Sequence, residues 1–174
     1  MPYETLNRTL IYSGRVFDVA QHEVRLPDGR AQTYDLVEHN GAVTILPLDS
    51  DGSLIFVRQH RVGAQAELLE LPAGVLHEGE DPREGAAREV REETGLSAAS
   101  LLRLGGFYMA PGYSTEYMHV FLATQLTPDP LPQDDDEFLE EVRIPARQAL
   151  EMALRGEIED GKTLVSLMLA QKYI

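Results

Sequence analysis

Cysteine is absent from the chain. Neither a disulfide nor a thiolate metal site can therefore contribute, which fits a reducing, cytoplasmic setting. The opening stretch "MPYETLNRTL" lacks a basic start followed by an apolar run, so no signal peptide is expected. Apolar runs such as "GAVTILPL" fall far short of the roughly 20 residues that span a bilayer. Positive charge is scarce: 15 Lys and Arg face 29 Asp and Glu, for a net charge of −14. Such a field repels nucleic acid and anionic membrane, and neither is expected as a partner. An anionic substrate would need local arginine or a bound cation. The five histidines show no H-E-x-x-H spacing for zinc, and no G-x-S-x-G marks a serine hydrolase.

What is present suffices for a full core, with 43% hydrophobic residues in 174. Residues 9–39 carry strand signals. "VFDVAQHEVRL", the turn "PDGR" and "AQTYDLVEH" form a hairpin pattern, and a boundary falls at "HNG". This predicts a small antiparallel sheet over residues 1–39 and a second domain over 40–174. Within the latter, "AVTILPLD" and "SLIFVRQHR" pair across "SDG". "LLRLGGFYMA" and "YMHVFLATQL" are strands joined by "PGYSTE", and "LEEVRIP" is a short strand. "ARQALEMALR" and "KTLVSLMLAQKY" have helical apolar spacing. The fold class is α/β.

A further helix is expected from about Pro82 to Thr94. Asp81 is a natural N-cap, Pro82 suits the first turn and Gly95 is a natural stop. Ala86, Ala87, Val90 and Thr94 share one small apolar face suited to packing on a sheet. Glu89, Glu92 and Glu93 share another at i, i+3 and i+4, where like charges repel by a few tenths of a kcal/mol per pair. Arg88 can pair with Glu92 but leaves the cluster negative. Two explanations fit: a solvated acidic face, or a site for a hard divalent cation such as Mg²⁺, whose binding offsets the repulsion.

The wider spacing decides between them. From Gly74, five residues lead to Glu80 and seven more to Arg88-Glu89, then Val90, Glu92-Glu93, Gly95 and Leu96. This resembles the Nudix box, G-x5-E-x7-R-E-U-x-E-E-x-G-U with U apolar, at every specified position. The resemblance implies the Nudix α/β/α sandwich with a mixed sheet, preceded here by the small antiparallel domain. It also implies a Mg²⁺- or Mn²⁺-dependent hydrolase of a nucleoside diphosphate linked to another group. Glu89, Glu92 and Glu93 would hold the metal, and Arg88 and Glu92 would belong to the catalytic set.

The flanks resemble the ADP-ribose pyrophosphatase branch. "ELPAG" enters the box there, which implies Glu70 on the substrate side and the Ala73 carbonyl among the metal ligands. Pro111, sixteen residues after Gly95, and Glu116 match substrate-side positions of "APGYSTE". Arg61 matches a phosphate-contacting arginine; its bland alternative is an exposed strand-end charge. The resemblance further implies a homodimer in which residues 1–39 help form the adenosine pocket. Tyr12, Phe17 and Tyr34 are stacking candidates there, although aromatics on strands are ordinarily core. A catalytic base is implied from the acidic loop "QDDDEFLEEV": Glu137, with Asp135 and Asp136 as rivals. The expected reaction converts ADP-ribose to AMP and ribose 5-phosphate. Alternatives are hydrolysis of GDP-mannose or a UDP-sugar, or a non-catalytic nucleotide sensor.

One motif is set aside. "GEIEDGKT", Gly156 to Thr163, matches G-x-x-x-x-G-K-[ST] but follows a helix instead of a strand and carries three acidic residues. Gly156 is expected to end one helix and Asp160 to start the next.

Overall fold

The computed structural model describes residues 2–132 and 138–174. The chain divides into two compact units, Met1–Gly41 with Phe107–Tyr117, and Ala42–Gly106 with Met118–Ile174.

The first unit is built on an antiparallel meander of β1 (Glu4–Ser13), β2 (Asp18–Arg25) and β3 (Ala31–Glu38), in that order. The β2–β3 hairpin closes over the expected turn, where the Gly29 N–H donates to the Leu26 carbonyl at 2.9 Å. β1 starts earlier than the strand signals suggest. Glu4, Thr5, Asn7 and Arg8 break the apolar alternation, and irregularities at Thr5/Asn7 and Leu10/Tyr12 shift its register. Every residue of β1 is exposed. Tyr12, Phe17 and Tyr34 are 58%, 43% and 40% exposed, so the core expectation for these aromatics fails. The reason is the setting: strand aromatics become core only where a second layer covers the sheet. Polar contacts across the strands hold this unit instead. Arg8 forks the Glu38 carboxylate, which also bonds His22 Nε2 at 2.8 Å. The Arg8 hydrogen bonds, helped by His22 and opposed by burial, hold the Glu38 carboxyl down at about 2. The segment around "APGYSTE" is stitched to β3: Val37 N–H donates to the Tyr113 carbonyl at 2.8 Å and Thr115 N–H to the Val37 carbonyl at 3.0 Å.

The second unit holds two sheets and three helices. β4 (Ala42–Pro47) lies between β7 (Ala73–Val75) and β9 (Tyr117–Pro128), with β8 (Leu96–Tyr108) outside β9. β4 runs parallel to β9 and antiparallel to β7, so the sheet is mixed. All six residues of β4 are buried, as a continuous apolar run in a central strand requires. The second sheet is antiparallel, with β5 (Ser53–Arg61) between β10 (Glu140–Pro145) and β6 (Ala66–Glu70).

The box helix α1 spans Pro82–Thr94, the expected range. Asp81 caps it by accepting from Arg83 N–H at 2.8 Å. Gly95 ends it at φ 69°, a left-handed conformation that glycine adopts without strain. Ala86 and Val90 are fully buried against Val43, Ile45, Leu76 and Phe121, with Ala87 alongside. α2 (Ala146–Leu154) and α3 (Gly161–Ala170) complete the unit, and α3 packs on β4. Among the described residues no helix is long and apolar enough to cross a membrane.

Candidate active site

The segment Glu70–Gly74 runs from β6 into β7 and is fastened at each step. Leu71 N–H donates to Thr163 Oγ1 of α3 at 2.8 Å. The Pro72 carbonyl accepts from Ile45 N–H at 2.8 Å. Ala73 and Gly74 pair with Thr44 and Val43 of β4. The Ala73 carbonyl, an expected ligand, thus sits on a backbone held by the central sheet.

α1 brings its acidic face against this backbone. Ala73 N–H donates to Glu93 Oε2 at 3.2 Å. A Cβ on Gly74 would stand 1.9 Å from Glu89 Oε1, so only glycine lets that carboxylate lie there. Glu89 and Glu93 are both buried, which rules out the solvated-face explanation for these two. Arg88 offsets part of the remaining charge. Its guanidinium donates to Glu80 Oε1 and Oε2 at 3.0 Å each, to Glu89 Oε1 at 2.6 Å, to Glu92 Oε2 at 2.8 Å and to the Val75 carbonyl at 3.2 Å. Glu80 first, then Glu89 and Glu92, push the Arg88 pKa further up against the opposing effect of burial. The Arg88 hydrogen bonds in turn hold the Glu80 carboxyl below its usual range. Arg88 therefore does more than the single i,i+4 pair expected of it. Its role is to tie the box glutamates to β7.

The donor set fits a hard divalent cation. Carboxylates from one rigid helix and a backbone carbonyl are oxygen ligands of the kind Mg²⁺ and Mn²⁺ favour, and the glycine cradle brings one of them against that backbone. The carboxylates do not already form a cage: among the described residues no three stand at metal-holding geometry. They fan around Arg88 instead. A cavity of about 480 Å³ lies at the Glu92, Glu93 and Gly95 end of α1, walled also by Leu131, Leu139 and Glu141. Glu137, Asp135 and Asp136 lie outside the described residues.

Arg61, at the end of β5, is half-exposed and forks Glu70 through Nε at 2.8 Å and Nη2 at 2.7 Å. Glu93 is among the charges that raise its pKa, after Glu70, whose hydrogen bonds lead. Glu70 itself is 1% exposed, and its second oxygen also takes Lys162 Nζ. Burial alone would raise this carboxyl, but Arg61 and Lys162 outweigh it and hold it low. Glu70 was expected on the substrate side; with both oxygens enclosed, it holds Arg61 instead of offering oxygen to a ligand.

The remaining substrate-side candidates lie in the first unit. Phe17 lines a cavity of about 370 Å³ with Arg15, Asp18, Glu38, His39 and Thr115. Tyr12 and Tyr34 do not line it. Pro111 is exposed in the turn Ala110–Tyr113, which the Tyr113 N–H closes on the Ala110 carbonyl at 3.0 Å. Glu116 is partly buried, its N–H donating to Ser114 Oγ at 3.1 Å.

Sequence reasoning missed Lys162 and Thr163, and gave Asp160 only its role as a helix start. Their signal was the G-K-T set aside as a false P-loop. The rejection stands, since α2 precedes it, Gly156 follows that helix at φ 74° and Asp160 caps α3. The residues nonetheless reach the box through Glu70 and Leu71.

The acidic helix implied by the box resemblance is present, and the structure adds a Gly74 cradle for Glu89 and a fastened strand leading into it. The model of the NUDIX domain matches residues 38–166, and the chain belongs to the Nudix hydrolase family, whose enzymes generally need a divalent metal. Among its relatives is an ADP-ribose pyrophosphatase of Bacillus subtilis (strain 168), 36% identical over 170 residues, covering 97% of this chain and 92% of that one. A methanol dehydrogenase activator of Bacillus methanolicus is 32% identical with the same coverage. A crystal structure of an ADP compounds hydrolase superposes with a TM-score of 0.85 at 28% identity, covering 99% of this chain and 94% of that one.

Proposed function

We propose that this protein hydrolyses ADP-ribose to AMP and ribose 5-phosphate. The observation that carries this reading is the near full-length likeness to an ADP-ribose pyrophosphatase, joined to a box that retains every carboxylate. Retention of Glu80, Glu89, Glu92 and Glu93 weighs against a non-catalytic sensor. The Ala73 carbonyl, Glu89, Glu92 and Glu93 would hold Mg²⁺ or Mn²⁺. When bound, such ions neutralise the diphosphate and make water a better nucleophile.

The protein's own groups do the rest. Arg61 meets a diphosphate oxygen, its guanidinium aimed by Glu70. Glu137, or Asp135 or Asp136, takes a proton from the attacking water. The water oxygen bonds to one phosphorus, the bridging P–O bond breaks, and two monophosphates leave. In the first unit Phe17 is the aromatic favoured for adenine, because it lines the cavity of about 370 Å³ described there. Pro111 and Glu116 remain candidates on the loop stitched to β3.

A cytoplasmic homodimer is part of the same reading. Leu10, Ile11, Tyr12, Val16 and Phe17 are exposed in one copy, a group of apolar side chains of the kind that marks an interaction surface. A two-fold partner would cover it.

The test is product analysis by chromatography after incubation with Mg²⁺ and ADP-ribose, GDP-mannose or UDP-glucose. AMP and ribose 5-phosphate in equal amounts are expected. Faster turnover of GDP-mannose or UDP-glucose would move the assignment to another nucleotide sugar, and no turnover of any would favour the sensor.

A further inference from the structure

Lys162 is 7% exposed on the first turn of α3, an unusual place for a lysine unless its charge is matched. It is matched twice, by Glu70 and by Asp160 Oδ2 at 3.0 Å. Asp160 is itself fixed as the helix cap, accepting from Thr163 N–H at 3.0 Å and Thr163 Oγ1 at 2.6 Å. The chain Asp160–Lys162–Glu70–Arg61 alternates in charge and sums to zero. It runs from a rigid helix cap to a half-exposed guanidinium. Only its last member is open to a ligand. Nε and Nη2 of Arg61 are used by Glu70, while Nη1 is left to donate elsewhere.

We propose that Lys162 is a positioning residue for the diphosphate-binding arginine. It pins one oxygen of Glu70, so that the carboxylate cannot rotate and the Arg61 fork keeps a single orientation. A bidentate pair is specific only while both planes are held. The inference rests on the functional reading above, in which Arg61 meets a phosphate. It deepens that reading by assigning a role to a side chain without a line of sight to substrate.

The test is a double-mutant cycle of Lys162→Met with Arg61→Ala, read in steady-state kinetics with ADP-ribose and Mg²⁺. Arg61 binds the diphosphate before and during reaction, so the effect falls on KM. Lys162→Met alone is expected to raise KM roughly tenfold with a much smaller fall in kcat. In the Arg61→Ala background the same substitution is expected to change KM less than about twofold, because the group it positions is gone. Additive KM effects, or a loss confined to kcat, would overturn the proposal. Asp160→Asn keeps a good helix cap while removing the second negative charge beside Lys162. It should raise KM in the same direction by about two- to threefold, and it serves if Lys162→Met does not fold; an unchanged KM in it then counts against the proposal. A second readout needs no turnover. The Arg61 Nε–H resonance in ¹⁵N spectra should exchange slowly in the wild-type chain and faster in Lys162→Met. An unchanged resonance with a lowered Tm would make Lys162 structural only and overturn the proposal. Failure of the wild-type chain to hydrolyse any nucleoside diphosphate sugar would sink the functional reading instead, and the resonance would still decide the positioning role.

Discussion

Strands β1 and β4 make the sharpest contrast in the molecule. All ten residues of β1 are exposed, and all six of β4 are buried. β4 lies in a sheet with helices packed on it; β1 is the edge of a three-stranded meander. The polar groups differ in the same way. Glu38 of the first unit is steadied by an exposed arginine and a histidine, whereas Glu70 of the second is enclosed by Arg61 and a buried lysine. The second unit thus carries its own core and a preorganised set of charges. The first leaves Leu10, Ile11, Tyr12, Val16 and Phe17 exposed.

The largest expected effect lies in the second unit. Glu93→Gln and Glu89→Gln should each lower kcat by more than about a hundredfold at fixed Mg²⁺, since loss of a ligand exceeds the 10–100-fold typical of a ligand's supporting partner. Tm in the absence of metal should change little in Glu93→Gln and fall in Glu89→Gln, which loses its buried ion pair with Arg88. Full activity of both variants at saturating Mg²⁺ would remove the metal role from this helix. Glu137→Gln should lower kcat with near-normal metal binding if it is the base.

Deletion of residues 1–39 comes next. It should yield a monomer in sedimentation with a much higher KM for ADP-ribose, while α1 and its metal affinity persist. A full-length chain that sediments as a fully active monomer would erase the contrast between an incomplete unit and a complete one.

Paired truncations sharpen the same comparison. Leu76→Ala, in the core under α1, should destabilise by about 2–5 kcal/mol in chemical denaturation. Leu10→Ala, on exposed β1, should change the stability of a single copy by no more than about 0.5 kcal/mol. Its effect should appear as weaker dimerisation. Equal losses in both would mean that β1 is already covered within one copy.

The smallest effect is a pH dependence. Glu38 titrates at about 2 in the folded chain, below the ordinary value of 4.5. Its ion pairs therefore contribute fully above pH 4.5, and that contribution is lost as pH falls toward 2. Glu38→Gln should flatten this part of an acid titration followed by circular dichroism. An unchanged acid limb would mean that the Arg8–Glu38–His22 cluster adds nothing.

How much of this was legible in the sequence follows from the range of the contacts involved. α1 was readable to the residue because its signals are local: Asp81 and Pro82 at one end, Gly95 at the other, Ala86 and Val90 between. The box residues were readable because they lie in one continuous stretch, Gly74 to Leu96. Lys162 was not, because its partner Glu70 lies 92 residues away and only the packing of α3 joins them. The G-K-T pattern pointed to a phosphate loop while its actual work was to fasten "ELPAG". Tyr12, Phe17 and Tyr34 misled for the opposite reason. Tyr12 and Tyr34 are on strands as read, and Phe17 just precedes β2, but how far each is exposed is a fact of tertiary structure that periodicity cannot carry.

The most direct test of the central claim, an ADP-ribose hydrolase built on the Glu70–Glu93 frame, is a competition assay with ADP-ribose and GDP-mannose at equal concentration with Mg²⁺. The account predicts AMP and ribose 5-phosphate, with kcat/KM for ADP-ribose at least about tenfold above that for GDP-mannose, and loss of both activities in Glu93→Gln. Preference for GDP-mannose, or turnover undiminished in Glu93→Gln, would contradict it.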